Sequence, residues 1–167
     1  MTFRERTTRA DAFRSWRGDV EADYVYTTGV AGERFFAALR DTGKIFSARC
    51  ERCDRTYLPP RLYCEKCLGP LAGWAPVEGP ATVEAVTVTH VDGHGNRLAA
   101  PEVWAILRWK GVYGGFVHRL AVPPDDARPG LRVRAVVRPK GERVGNITDI
   151  LHFAPRRIVS PVSRRFA

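Results

Sequence analysis

The sequence predicts a mainly β protein in which an N-terminal helix, a cysteine ribbon and a small closed barrel follow one another along the chain. Three observations predict it. Residues Val30 to Asp41 carry apolar side chains at helical spacing, four cysteines form two C-x-x-C pairs, and the stretch after Pro76 divides into five short β-rich runs. A period near 3.6 marks the first segment and one near 2 marks the last.

In the helix, Phe35, Phe36 and Leu39 share one face with Ala38 beside them, while Glu33, Arg34 and Arg40 are free to face water. Such a stripe places a helix against a core, and Gly43 is positioned to end it. Upstream, residues 1–29 show no clean period. Trp16, Tyr24 and Tyr26 are nonetheless too apolar for a solvated arm, so the segment is expected to lie against a surface of this chain or of another.

Lys44 to Arg49 reads as a short strand leading into the first cysteine pair, and Pro59–Pro60 separates Tyr57–Leu58 from Arg61–Tyr63. The prolines break the segment into two knuckle arms. Each C-x-x-C turn aims two thiolates at a common point, and the ten residues between Cys53 and Cys64 are enough for a hairpin that brings the turns face to face. Cys50, Cys53, Cys64 and Cys67 would then form a tetrahedral S4 cage with metal–sulfur distances of ~2.3 Å, leaving no coordination position for catalysis. Structural zinc (Zn2+) is the favoured ion. Iron in a rubredoxin-like cage and a pair of disulfides are the alternatives, because spacing specifies geometry better than element.

Beyond Pro76, the candidate strands are Thr82 to Val91, Val103 to Trp109, Tyr113 to Arg119, Leu131 to Arg138 and Asn146 to Phe153. A glycine-rich bend, Gly111 to Gly115, separates the second and third; in the fourth, Leu131, Val133, Ala135 and Val137 alternate with Arg132, Arg134 and Arg138. Five short strands with glycines where a strand must curl suit a closed barrel of the OB type better than a two-sheet sandwich. The last twelve residues, Arg156 to Ala167, hold four arginines and no acid and read as an extended arm. The expected division is therefore 1–43 arm and helix, 44–76 ribbon, 77–155 barrel and 156–167 basic tail.

The net charge of +9 comes from 27 basic and 18 acidic residues, a surplus that points toward nucleic acid, acidic membrane or a phosphorylated ligand. Its distribution weakens the first two readings, because four of the nine charges lie in the tail and 77–155 carries an excess of only two. Arginines number 23 against 4 lysines, a bias compatible with interface or phosphate contacts. No stretch has the apolar length of a membrane span, and Met1 to Arg17 lacks the apolar block of a secretory signal. The expected location is the cytoplasm, where close cysteine pairs favour metal over disulfides.

His90, His94, His118 and His152 are scattered and belong to no recognised catalytic motif; there is no G-x-S-x-G elbow or Walker loop, and Asp125–Asp126 sits in a proline-rich turn. With the cysteines committed to metal, no residue is assigned a catalytic role.

The order of these elements, together with "FFAALRDTGKIFSARCERCDRTYLPPRLYCEKC" from Phe35 and "GWAPVEGPATVEAVTVTH" from Gly73, resembles the family once labelled domain of unknown function 35. That family joins a rubredoxin-like zinc ribbon to an acyl-CoA-associated OB-fold. The matching ligands are Cys50, Cys53, Cys64 and Cys67, Tyr57 to Pro60 matches the bridge between knuckles, and "APEVWAILRW" and "DDARPGLRVRAVV" fit later strands. The resemblance spans residues 30–155; the long N-terminal arm and arginine tail depart from shorter members.

What the resemblance implies is a non-catalytic accessory subunit without activity alone, required by a thiolase-superfamily acyl-CoA enzyme: a thiolase, an aldolase or a synthase, in lipid, steroid or aromatic degradation. Such a subunit would dock a thiolase-like protein as a hetero-oligomer and help bind or channel the CoA ester. Trp104, Arg108, Trp109, Lys110, Phe116 and Arg119 are the candidates for CoA or the partner surface, the cations for phosphates and the aromatics for adenine. For each, a surface cation or a core aromatic is the plainer role. The alternative is a single-stranded nucleic-acid-binding module, since OB barrels with zinc ribbons also bind strands through aromatics and a basic groove.

Overall fold

The apolar stripe of the helix decides how the chain begins to pack. In the computed structural model, which describes residues 26–155 together with Asp11, helix α1 spans Gly29–Thr42 and buries Phe35 and Leu39. Phe36 packs at the margin of the same core, and Glu33, Arg34 and Arg40 face outward. Gly43 closes the helix in a left-handed conformation, donating its N–H to Leu39 O at 2.8 Å. The expectations for Trp16, Tyr24 and the basic tail fall outside the described residues.

Three short strands follow. β1 (Phe46–Cys50) pairs antiparallel with β2 (Arg55–Leu58) and, along its other edge, with β3 (Gly73–Pro76). The long hairpin of β4 (Ala81–Val91) and β5 (Arg97–Arg108) opens the second sheet. β6 (Val112–Gly114) and β7 (Phe116–Arg119) come next, then β8 (Arg132–Val137) and β9 (Ile150–Pro155).

The second sheet runs β7-β5-β4-β8-β9, every neighbouring pair antiparallel. Its two ends meet where Leu120, just past β7, bridges in parallel to Phe153 of β9, and Ala121 donates its N–H to Phe153 O at 2.7 Å. Five strands in this order, closed by a parallel contact between the third and the last, form the expected OB-type barrel. Its interior is filled by alternate residues such as Val83, Val103, Ala105, Leu107, Val133 and Phe153. α1 caps that core, with Phe35 meeting Phe116 edge-on at a centroid distance of 5.9 Å.

The structure departs from the sequence reading at three strands: β5 begins at Arg97, where Val103 was expected. The stretch expected as one strand, Tyr113 to Arg119, is divided at Gly114–Gly115. Its first half, β6, leaves the barrel and pairs in parallel with β2, matching Tyr57 with Tyr113 and Leu58 with Gly114. The first sheet is therefore β3-β1-β2-β6, three ribbon strands and one contributed by the barrel hairpin. The last strand also begins later than expected, because Ile147–Asp149 forms a 3-10 turn with Asn146 accepting from Thr148 N–H.

That turn holds a buried charge. Asp149 is fully buried and accepts N–H bonds from Val144 at 2.9 Å and Gly145 at 2.7 Å. Burial pushes its carboxyl up, but these amides, that of Asn146 and the charge of Arg138 outweigh it and hold the group below the ordinary carboxylate value. Within the loop so ordered, Arg143 donates to Arg138 O and across to Arg40 O of α1, tying helix to barrel. No helix among the described residues is long and apolar enough to cross a membrane.

Candidate metal centre

The ribbon has little apolar material of its own. Its buried cluster is Ala48, Cys50, Tyr57, Cys64 and Leu71, with Cys53, Cys67 and Trp74 packed at its margin. Four of these eight are cysteines, so whatever joins the sulfurs accounts for much of the local stability.

Cys50 ends β1, and the turn that follows carries Cys53 back toward β2. The second knuckle is closed by backbone bonds: Leu68 N–H to Cys64 O, Cys64 N–H to Gly69 O, both 2.9 Å, and Leu71 N–H to Leu62 O at 2.8 Å. The residue after each C-x-x-C pair adopts a left-handed backbone, Asp54 at φ 53° and Leu68 at φ 55°. Asp54 is held by Arg49. Leu68 is 77% exposed and makes no compensating burial.

This folding brings the four Sγ atoms within 4.8 Å of one another, with Cys50 and Cys67 sulfurs 3.6 Å apart. A tetrahedral ion with ~2.3 Å bonds needs sulfurs roughly 3.8 Å apart, so the donor set fits such an ion. None of the four is paired as a disulfide.

Taken as thiols, Cys64 and Cys53 are displaced in opposite directions. Cys64 is pulled down to about 6, first by the Tyr57 hydroxyl and, against burial, by the N–H groups of Cys67 and Lys66. Cys53 is pushed up to about 12, first by its bond with Cys67 and then by burial. Tyr57 is itself raised, first by Cys64 and then by burial, which keeps its hydroxyl protonated.

Around the cage, the Tyr57 and Tyr113 rings lie 5.7 Å apart, tilted by 37°, Arg55 lies 4.6 Å over Tyr113, and Arg61 lies 5.5 Å over Tyr57. Arg34 of α1 covers the Trp74 ring at 4.4 Å. The site is therefore anchored to both the helix and the barrel.

The six residues suggested for CoA or a partner surface do not converge. Trp109 and Phe116 are buried in the barrel core, edge-on to each other at 5.8 Å, and offer no ring face to a ligand. Trp104, Arg108 and Arg119 project from the barrel wall, whereas Lys110 is exposed at the turn after β5. Arg108 pairs with Glu84 at 2.7 Å and Arg119 with Glu102 at 2.9 Å, and Trp104 donates to Glu102 at 3.2 Å. Strand alternation carried this signal, since neighbours in a strand point to opposite faces and Trp109 follows Arg108. Arg119 lines a cleft of about 370 Å3 with Pro101, Glu102, Leu151 and His152, of which only Arg119 was singled out from the sequence. His118 is turned into the core beside Phe153, and burial first of all lowers its pKa.

Comparison with known proteins bears on ribbon and barrel separately. Residues 37–71 match the family described as ChsH2, rubredoxin-like zinc ribbon domain. Two solved structures share the wider fold. One is a protein of unknown function from the DUF35 family of Sulfolobus solfataricus, 29% identical, with a TM-score of 0.56 over 65% of this chain and 78% of that one. The other is a chain of the Ltp2–ChsH2(DUF35) aldolase, 20% identical, with a TM-score of 0.57 over 83% of this chain and 98% of that one. No curated protein matches the chain. The resemblance to the domain-of-unknown-function-35 family is borne out by all three matches.

Proposed function

We propose that this chain is a non-catalytic accessory subunit of a thiolase-superfamily acyl-CoA enzyme. The observation that carries the proposal is the shared fold, which covers 83% of this chain and 98% of a chain of the Ltp2–ChsH2(DUF35) aldolase. In this reading Cys50, Cys53, Cys64 and Cys67 hold one structural zinc. Fully thiolate-ligated zinc holds the ribbon together and, with no open position, activates neither water nor a carbonyl. The ribbon and barrel, 44–76 and 77–155, act as one docking body because β6 of the barrel completes the ribbon sheet.

The wall of the barrel around Trp104, Arg108 and Arg119 supplies the contact with the thiolase-like partner, and the cleft beside Arg119 lies where a phosphate of a CoA ester would find a cation. Co-expression with a thiolase-superfamily protein encoded beside it, followed by size-exclusion chromatography, tests the proposal. Co-elution is expected; separate elution at micromolar concentration refutes it.

The nucleic-acid reading fares less well. Two aromatics it needs for base stacking, Trp109 and Phe116, are buried. A fluorescence titration with short oligonucleotides at low salt is expected to show no binding. Tight binding that falls steeply with salt would reverse the ranking.

A further inference from the structure

We infer that Tyr57 is a positioning residue of the metal centre, its hydroxyl donating a hydrogen bond to the Cys64 thiolate and thereby setting how much charge that sulfur carries. The inference rests on the proposal that the four cysteines hold a metal.

Tyr57 is wholly buried, and its Oη lies 3.3 Å from Cys64 Sγ. A buried phenol requires a partner. A metal-bound thiolate has no proton, so the hydroxyl must be the donor.

The ring has little freedom to turn away. Tyr57 is in an inner strand, opposite Ala48 of β1 on one side and Tyr113 of β6 on the other. Tyr113 and Arg61 pack against its ring. Four thiolates around a divalent cation leave an excess of negative charge in a site where Cys50 and Cys64 are buried. A donor aimed at one sulfur withdraws part of that charge and stabilises the assembled cage.

The test compares the full chain with Tyr57→Phe, which keeps the ring and removes one oxygen, and with Tyr113→Phe as control. Each is loaded with cobalt(II) for absorption spectroscopy and with zinc for transfer to a chromophoric chelator. Tyr57→Phe is expected to shift the sulfur-to-cobalt charge-transfer band to lower energy and to weaken zinc retention ~10-fold. Tyr113→Phe should change neither. A residue that merely packed would alter stability and leave the band in place, so an unmoved band with parental zinc retention overturns the inference.

A second measurement needs no variant. In the parent loaded with cadmium-113, the Tyr57 hydroxyl proton is expected to exchange slowly and to couple to the metal; exchange as free as that of Tyr113 overturns the inference. A parent that binds no metal removes this inference and the zinc proposal together. One ion per chain with an indifferent Tyr57→Phe removes the inference alone.

Discussion

Gly114 lies where the ribbon and barrel are joined. It is paired with Leu58 across the parallel β2–β6 contact and has φ +90°. A Cβ built there overlaps the Leu58 carbonyl oxygen, and the Gly114 carbonyl also accepts from Arg108 at 3.1 Å. Gly114→Ala therefore carries two costs. Holding an L-residue at positive φ costs about 1–2 kcal/mol. Relieving the overlap requires β6 to move from β2, with the loss of one or two ladder hydrogen bonds at about 1 kcal/mol each. The sum, ~3 kcal/mol, is a large part of the 5–15 kcal/mol typical of a folded domain.

Gly111 provides the matched control. It is in the same hairpin with φ +74°, but a Cβ there meets nothing within 4 Å. Gly111→Ala should incur the strain alone, and the smaller entropy of the unfolded alanine chain is common to both variants and cancels. Urea unfolding of the metal-loaded proteins should show Gly114→Ala less stable than Gly111→Ala by about 1–2 kcal/mol. Equal destabilisation would mean that the β2–β6 contact does not join the two units.

Three further outcomes are expected. Chelation of the metal should release the protecting bonds of β1 and β2 while β4 and β5 stay protected, because the ribbon's own core is so small and ligation contributes about 10–16 kcal/mol in zinc peptides; hydrogen exchange that leaves the ribbon amides protected would contradict this. Asp149→Asn should cost about 2 kcal/mol at neutral pH through weakened bonds from Val144 and Gly145. Since the folded Asp149 carboxyl titrates below its ordinary value, this contribution is complete above pH ~4 and is lost as pH falls through the folded pKa. The parent and Asn stability curves should converge in acid, and a gap constant with pH would refute the assignment. Leu68→Asn should stabilise the zinc-loaded protein by up to ~1 kcal/mol, because Leu68 holds φ 55° while exposed and asparagine tolerates that conformation; a lower melting temperature would count against strain at this knuckle.

What could be read from the sequence was local. The cysteine knuckles depend on residues three apart joined by a short hairpin, and the helix depends on Phe35 and Leu39 falling on one turn of the same face. The five barrel strands were legible because Val, Thr and alternating Arg specify extended chain wherever it packs. Alternation also separates Trp109 and Phe116 from Arg108 and Arg119, although consecutive letters invite grouping them as one site.

The tertiary structure decided the rest. Nothing near Val112 indicates that β6 pairs with a ribbon strand more than fifty residues earlier, since such pairing depends on how the barrel closes and where α1 caps it. Arg108 meets Glu84 and Arg119 meets Glu102 only once β4, β5 and β7 are in register. Tyr57 likewise looks like one aromatic in a linker until the strands on either side of it bring its hydroxyl to the Cys64 sulfur. Short-range geometry follows from backbone preference and spacing; contacts between distant segments follow from the packing of the whole chain.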